Sequence, residues 1–146
     1  MSDMPNTSTS DRATTLLSRP VLVAASAFYI ALGVGCGAFG AHALRDAIPA
    51  SDLAIWDKSV LYHLFHSLAA LVIALSAHEL IPQRKANSIS AALLVATTIF
   101  SGTLYLLVLL NQRWLGAITP IGGATFIATW LYLAYLTLRH SKQTQA

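Results

Sequence analysis

Residues 89–110 read ISAALLVATTIFSGTLYLLVLL, twenty-two consecutive positions without a charged side chain. As a helix rising 1.5 Å per residue the stretch reaches about 33 Å, enough to cross a hydrocarbon core of roughly 30 Å. Moving outward, three more uncharged stretches of spanning length appear, at 20–44, 59–78 and 114–138. The charges are confined to clusters between them: Asp3, Asp11, Arg12 and Arg19, then Arg45 to Lys58, Glu79 to Lys85, Arg113, and finally Arg139 with Lys142. The spacing predicts an all-α fold, an integral membrane up-down bundle of about four transmembrane helices.

The whole chain agrees with that reading. Of 146 residues 55% are hydrophobic and only 10% charged, with a mean hydropathy of +0.61. That leaves too few charges to cover a water-facing surface. The net charge of +3 does not suggest nucleic acid, because the basic residues are scattered at the ends of apolar stretches and form no run. Cys36 is the single cysteine, so an intramolecular disulfide and a dithiol relay within one chain are both excluded.

Residues 1–19 are polar and rich in Ser and Thr, the composition of a flexible tail. Residues 20–138 make the membrane domain, and 139–146 a short polar tail. Arg12, Arg19 and the Ala41-His42-Ala43 tripeptide imitate a cleavable signal. The apolar run between them, however, exceeds the roughly 7–15 residues of a signal core, so it reads as a first span. With four spans, one side of the membrane holds Arg12, Arg19, Arg84, Lys85, Arg139 and Lys142, and the other Arg45, Lys58 and Arg113. The positive-inside rule then puts both termini in the cytoplasm. Short connections predict antiparallel neighbours. Pro49 to Asp52 reads as a turn into a short interfacial helix capped by Ser51, with Trp56 at headgroup depth. Trp114, Trp130, Tyr132 and Tyr135 read as an aromatic belt.

Helices in lipid associate through small residues and interhelical hydrogen bonds, so those residues mark the contacts. Gly33, Gly37, Gly40 and Ala41 form such a stripe on the first span. They serve a contact within one chain or between two, which the spacing leaves open. The string from Gly35 to Gly40 also matches G-x-G-x-x-G, but an apolar helix without a preceding strand is not a dinucleotide site. On the second span His63, His66, Ser67, Ala70, Ala74 and Ala77 share one stripe and should face inward, while Leu64, Leu68, Leu71, Val72 and Leu75 should meet lipid. Ala91, Thr98, Ser101, Gly102 and Tyr105 line up on the third. Pro120 should kink or loosen the fourth, freeing the Gly116 carbonyl.

Antiparallel connections bring His42, His63, His66, Tyr105, Thr119 and Pro120 into one leaflet, and polar residues at membrane depth are candidates for function. The plain reading is a set of interhelical hydrogen bonds that hold the bundle together. A second is a metal or haem site, for which His42, His63 and His66 are the candidates; an accompanying Glu-x-x-His pattern is missing, and one helix does not supply both axial faces of a haem. A third is transport driven by histidine titration, although no acidic residue lies inside a span. No catalytic residue and no cofactor are assigned.

At Gly37-Ala38-Phe39-Gly40-Ala41-His42, Tyr62-x-x-x-His66, Phe100 to Tyr105, and Thr119-Pro120-Ile121-Gly122-Gly123, the sequence resembles the YgdD-like small integral membrane proteins, the domain of unknown function 423. The resemblance covers all four spans. It implies a four-helix protein of the cell membrane, the inner membrane in a Gram-negative bacterium, and supplies no activity. It maps recurring positions to His42, His66, Ser101, Gly102, Tyr105, Thr119, Pro120, Gly122 and Gly123. The expectation is a non-enzymatic structural or interaction protein whose partners are the lipid bilayer and, in addition, further copies or other membrane proteins. The alternative is a small transporter or metal-binding protein using the histidines.

Overall fold

The computed structural model describes residues 18–144. Except for its last two residues, the polar N-terminal tail lies outside them. Four helices follow one another, and the described residues contain no strand. Helix α1 (Arg19–Phe39) ends in a π-helical turn (Gly40–Leu44), and α2 (Ala50–Ser76) in a 3-10 turn (Ala77–Glu79). Helix α3 is Gln83–Leu110, and a 3-10 turn (Arg113–Ala117) leads into α4 (Thr119–Thr144). All four are long and apolar enough to cross a membrane.

Proline sets most of the starts. Pro20 stands in the first turn of α1, where its missing N–H costs nothing. Pro49 and Pro82 occupy the extended positions just before α2 and α3. Pro120 is the second residue of α4, so the expected kink is a helix start instead: the segment from 114 enters as a 3-10 turn, and the α-helix begins at Thr119. Asn111 ends α3 in the left-handed region, φ 51°, where its N–H and that of Gln112 close on the Leu107 carbonyl.

The helices run past the apolar stretches. Helix α2 starts at Ala50, nine residues before the expected span, and absorbs the separate interfacial helix. Ser51 therefore lies inside the first turn and makes no cap. Helix α3 likewise starts six residues early, and α4 continues through the expected C-terminal tail as far as Thr144. Charges such as Asp57 and Lys58 do not stop a helix; they only mark where it leaves lipid.

Helices α2 and α3 form the centre: of the apolar eighteen-residue stretch in each, 39% is buried, against 17% in α1 and α4. Helix α1 lies on the side of α2 that carries Trp56, Val60 and Leu64. Helix α4 packs on α3 and reaches the other side of α2, at Tyr62, Phe65 and His66. The backbones of α1 and α4 do not approach one another. Backbone to backbone, α4 meets α3 alone among the other helices, and it reaches α2 through its rings.

The inward stripe of α2 is as expected, with His63, His66, Ser67, Ala70, Ala74 and Ala77 all buried. Leu68, Val72 and Leu75 are exposed, but Leu64 is half-buried because it packs on Gly33. The stripe proposed for α3 is rotated. Ser101 is buried, whereas Thr98 is exposed and the main buried face runs through Ile89, Leu93, Ala96 and Thr97. A helix with neighbours on three sides buries more than the one stripe that small residues mark.

Candidate functional site

The glycines of α1 decide how closely it meets α2. A Cβ on Gly33 would lie 2.7 Å from Leu64 Cδ2, and one on Gly40 would lie 2.6 Å from the Trp56 ring. The stripe thus serves a contact within the chain. Trp56, expected at headgroup depth, occupies the space that Gly40 leaves and is only 2% exposed. Its Nε1 donates to the Cys36 carbonyl at 2.9 Å, which satisfies the indole within the bundle.

Between α2 and α3 lies a reciprocal pair: Ser59 Oγ donates to the Ser101 carbonyl, and Ser101 Oγ to the Ser59 carbonyl, each at 2.9 Å. Ser90 Oγ repeats the device on the Ala70 carbonyl, also at 2.9 Å. Small hydroxyls let two helices approach and then tie backbone to backbone, so one substitution removes both packing and a bond.

The two histidines of α2 part company here. His63 turns to the α1 side, with Nδ1 3.2 Å from the Tyr105 hydroxyl and the ring edge-on to Tyr29 at 5.7 Å. Tyr105 lies against Trp56, ring centres 4.6 Å apart. Tyr29 in turn shares a 2.6 Å hydrogen bond with Thr98. Ser26 Oγ, Ser67 Oγ and His63 Nε2 are buried without a hydrogen-bond partner among the described residues.

His66 turns to the α4 side and stacks on Phe126, centres 3.5 Å apart and planes within 18°. Tyr62 stacks on Phe100 at 4.7 Å, and Phe65 and Trp130 close the box. His66 Nδ1 donates to the Tyr62 carbonyl at 2.9 Å; a carbonyl only accepts, so in the neutral ring Nε2 holds the lone pair. Lipid-facing hollows bordered by Tyr62 and His66 flank this box.

Helix α4 is seated by its glycines. A Cβ on Gly122 would lie 2.7 Å from the Phe100 backbone nitrogen, so only glycine allows this crossing, and Gly123 faces the Phe100 ring. Nearer the loop, Thr119 Oγ1 and Thr103 Oγ1 are 2.9 Å apart. Two arginines tie the ends of the bundle. Arg113 grips Asp52 with both nitrogens, at 2.8 and 2.9 Å, and the carboxylate sits in the first turn of α2, where the helix dipole favours it. At the other end Arg19 donates to the Leu75 carbonyl at 2.8 Å.

The sequence-predicted residues therefore form several contacts and not one site. His66, Gly122 and Gly123 gather around Phe100 and Phe126, while His63 and Tyr105 pair on the far side of α2. Ser101 and Thr119 bond elsewhere. A Cβ on Gly102 would meet nothing within 4 Å, and His42 is exposed on the π turn. Gly33 is the α1 residue beside His63, and His42 lies nine residues beyond it, about 13 Å along the helix. The candidate metal ligands His42, His63 and His66 do not converge, and the described residues contain no group of three His, Cys, Asp or Glu able to hold a metal. Sequence reasoning missed Ser59, Tyr29 and Phe126. Ser59 was within reach, since it stands four residues before His63 on the stripe already drawn.

A four-helix membrane bundle closed by small, hydroxyl and aromatic side chains is the class of protein that this architecture defines. Residues 36–123 match the family described as protein of unknown function DUF423, a stretch from the end of α1 to the glycine pair at Phe100, and the chain belongs to that family. It is 40% identical over 119 residues to a UPF0382 membrane protein of Staphylococcus epidermidis, covering 82% of this chain and 96% of the relative. To the UPF0382 membrane protein YwdK of Bacillus subtilis it is 35% identical over 120 residues, with 82% and 98% covered. A UPF0382 membrane protein of Haemophilus influenzae is 39% identical over 114 residues, 78% and 88% covered. No solved structure matches the chain.

Proposed function

We propose that this membrane protein acts without catalysis, as a structural or interaction component of the cell membrane, with both termini in the cytoplasm. Its partners in this reading are other membrane proteins or further copies of itself. The observation that carries the reading is how the polar side chains inside the bundle are used. Ser59, Ser90 and Ser101 are spent on the backbone of a neighbouring helix, Tyr29 on Thr98, His63 Nδ1 on Tyr105 and Thr103 on Thr119, while Ser26 Oγ, Ser67 Oγ and His63 Nε2 have no hydrogen-bond partner among the described residues. A reactive centre needs such groups aimed at a common point; here the hydrogen-bonded ones join neighbouring helices pair by pair. The orientation rests on the excess of Lys and Arg at the end holding the termini.

Thermal unfolding and metal analysis of detergent-purified protein test the role together. The expected result is that His66→Ala lowers the melting temperature and leaves the metal content unchanged; a stoichiometric metal lost with His66→Ala overturns the proposal. For the orientation, single cysteines at Asp57→Cys and Glu79→Cys in a Cys36→Ala background are exposed to a membrane-impermeant thiol reagent on intact cells. Labelling at 57 and protection at 79 is expected, and the reverse pattern overturns it.

A further inference from the structure

Helices α3 and α4 touch closely at Gly122, whose missing Cβ admits the Phe100 backbone. From there toward the end of the bundle that holds the termini, a groove of about 730 Å³ opens sideways between them. Its α3 wall is Ser88, Ile89 and Ala92; its α4 wall runs from Ile121 past Ala128 to Tyr132. The hydroxyls along the α4 wall are spent on their own helix: Thr125 donates to the Ile121 carbonyl at 2.8 Å and Thr129 to the Thr125 carbonyl at 2.7 Å. What faces the groove is hydrocarbon, suited to an alkyl chain and not to a polar substrate.

The groove matches one leaflet in depth. Phe100 stands midway along the uncharged stretch 89–110, at the level of the bilayer midplane, and Ser88 stands just outside that stretch. From Ile121 to Tyr132 the helix rises about 16 Å, close to half of a 30 Å hydrocarbon core. Two cations stand on the continuation of its walls, Lys85 at the outer end and Arg139 about two turns further along α4. Lys85, three residues before Ser88, holds its Nζ 5.8 Å above the Tyr132 ring. Arg139, seven residues after Tyr132, donates to the Tyr135 hydroxyl at 3.3 Å, which leaves that hydroxyl's own proton free for an acceptor.

We propose that this groove is a binding site for an anionic phospholipid, one acyl chain lying between α3 and α4 and the phosphate held by Lys85 and Arg139. Charge complementarity selects the occupant: a basic pocket between transmembrane helices at headgroup depth recognises anionic lipid. A second copy of this chain would bring its own Lys85 and Arg139 against these two in a symmetric contact, like charge against like.

The test is native mass spectrometry of the full chain released from nanodiscs of phosphatidylcholine with a minority of phosphatidylglycerol. Wild type should retain phosphatidylglycerol in preference to phosphatidylcholine. Lys85→Gln with Arg139→Gln should erase the preference, by roughly fivefold for each cation. Arg84→Gln, an exposed cation about 100° round the helix from Lys85 and further than it from Ile89 and Ala92, should leave it intact. Ala128→Phe, or Ala92→Leu from the opposite wall, should abolish lipid retention while the protein still elutes as one species; if neither folds, the charge variants decide alone. A preference unchanged in the double variant, an equal loss with Arg84→Gln, or a wild-type dimer that Ala128→Phe dissociates overturns the proposal.

Discussion

His63 and His66 stand three residues apart on one helix, equally buried at 6% exposure, yet their surroundings have little in common. His63 lies on the enclosed side, among α1, α2 and α3, and is held by a hydrogen bond to Tyr105. His66 lies on the side facing α4, held chiefly by ring stacking on Phe126 and bordered by hollows open to lipid. Three residues turn a helix by 300°, so the two side chains diverge by 60°. With α3 packed between those directions, that angle is enough to deliver them to different neighbours. Sharing a stripe places two residues on the same half of a helix and no more.

The largest effect is expected at Gly122. Gly122→Ala sets a Cβ against Phe100 backbone, which cannot rotate aside, and should destabilise the α4 side by about 1–3 kcal/mol. Gly102→Ala, whose Cβ meets open space, should be neutral, and thermal unfolding of the two in detergent measures the contrast. Next in size is the pair of histidine replacements. His63→Phe removes the hydrogen bond to the Tyr105 hydroxyl, which keeps Ser59 and Cys36 as neighbours, at a cost of about 0.5–1.5 kcal/mol. His66→Phe keeps a ring on Phe126 and loses one bond to a carbonyl of its own helix, so its melting temperature should change much less. Equal losses for the two would break the distinction between an enclosed polar side and an open aromatic one.

Smaller again are Ser59→Ala and Ser101→Ala, each of which removes one side-chain bond to a carbonyl that the other serine's backbone keeps. Each bond is expected to contribute near 0.6 kcal/mol, about the average between transmembrane helices, and because the acceptors are backbone the two losses should add in a double-mutant cycle. The smallest effect belongs to Arg113→Gln. Asp52 is nearly buried, but the guanidinium is 57% exposed, and water screens the pair. A shift of a degree or two in melting temperature that vanishes at high salt would place this contact outside the comparison. A shift as large as that of Gly122→Ala would show that the loop holds α4 more than the helix crossing does.

Trp56 and Pro120 show why part of the fold was not legible. An aromatic residue near the end of an apolar stretch reads as a belt, and only the gap at Gly40 on another helix turns Trp56 inward. A proline six residues into an apolar stretch reads as a kink. It becomes a helix start because the chain leaving Asn111 spends Arg113–Ala117 in a 3-10 turn. Asp57 and Lys58 read as the edge of a span, yet helix α2 passes through them, since hydropathy records the solvent and not the backbone.

Four runs of uncharged residues, each long enough to cross lipid, determined by themselves that this chain is an all-α membrane protein. A bilayer lets a backbone satisfy its own hydrogen bonds only in helices or a closed barrel, and a barrel strand is about ten residues of alternating polarity, not an unbroken apolar run of this length. The inward stripe of α2 was legible for the same reason, because a histidine and a serine must turn from acyl chains. Which residues meet across the bundle was decided only by tertiary structure. Lipid is as apolar as the helix faces, so the contacts are selected by ångström-scale fit, at Gly122 against Phe100, Gly40 against Trp56 and Ser59 against Ser101. That fit depends on the positions of two helices at once, and one-dimensional spacing does not contain it.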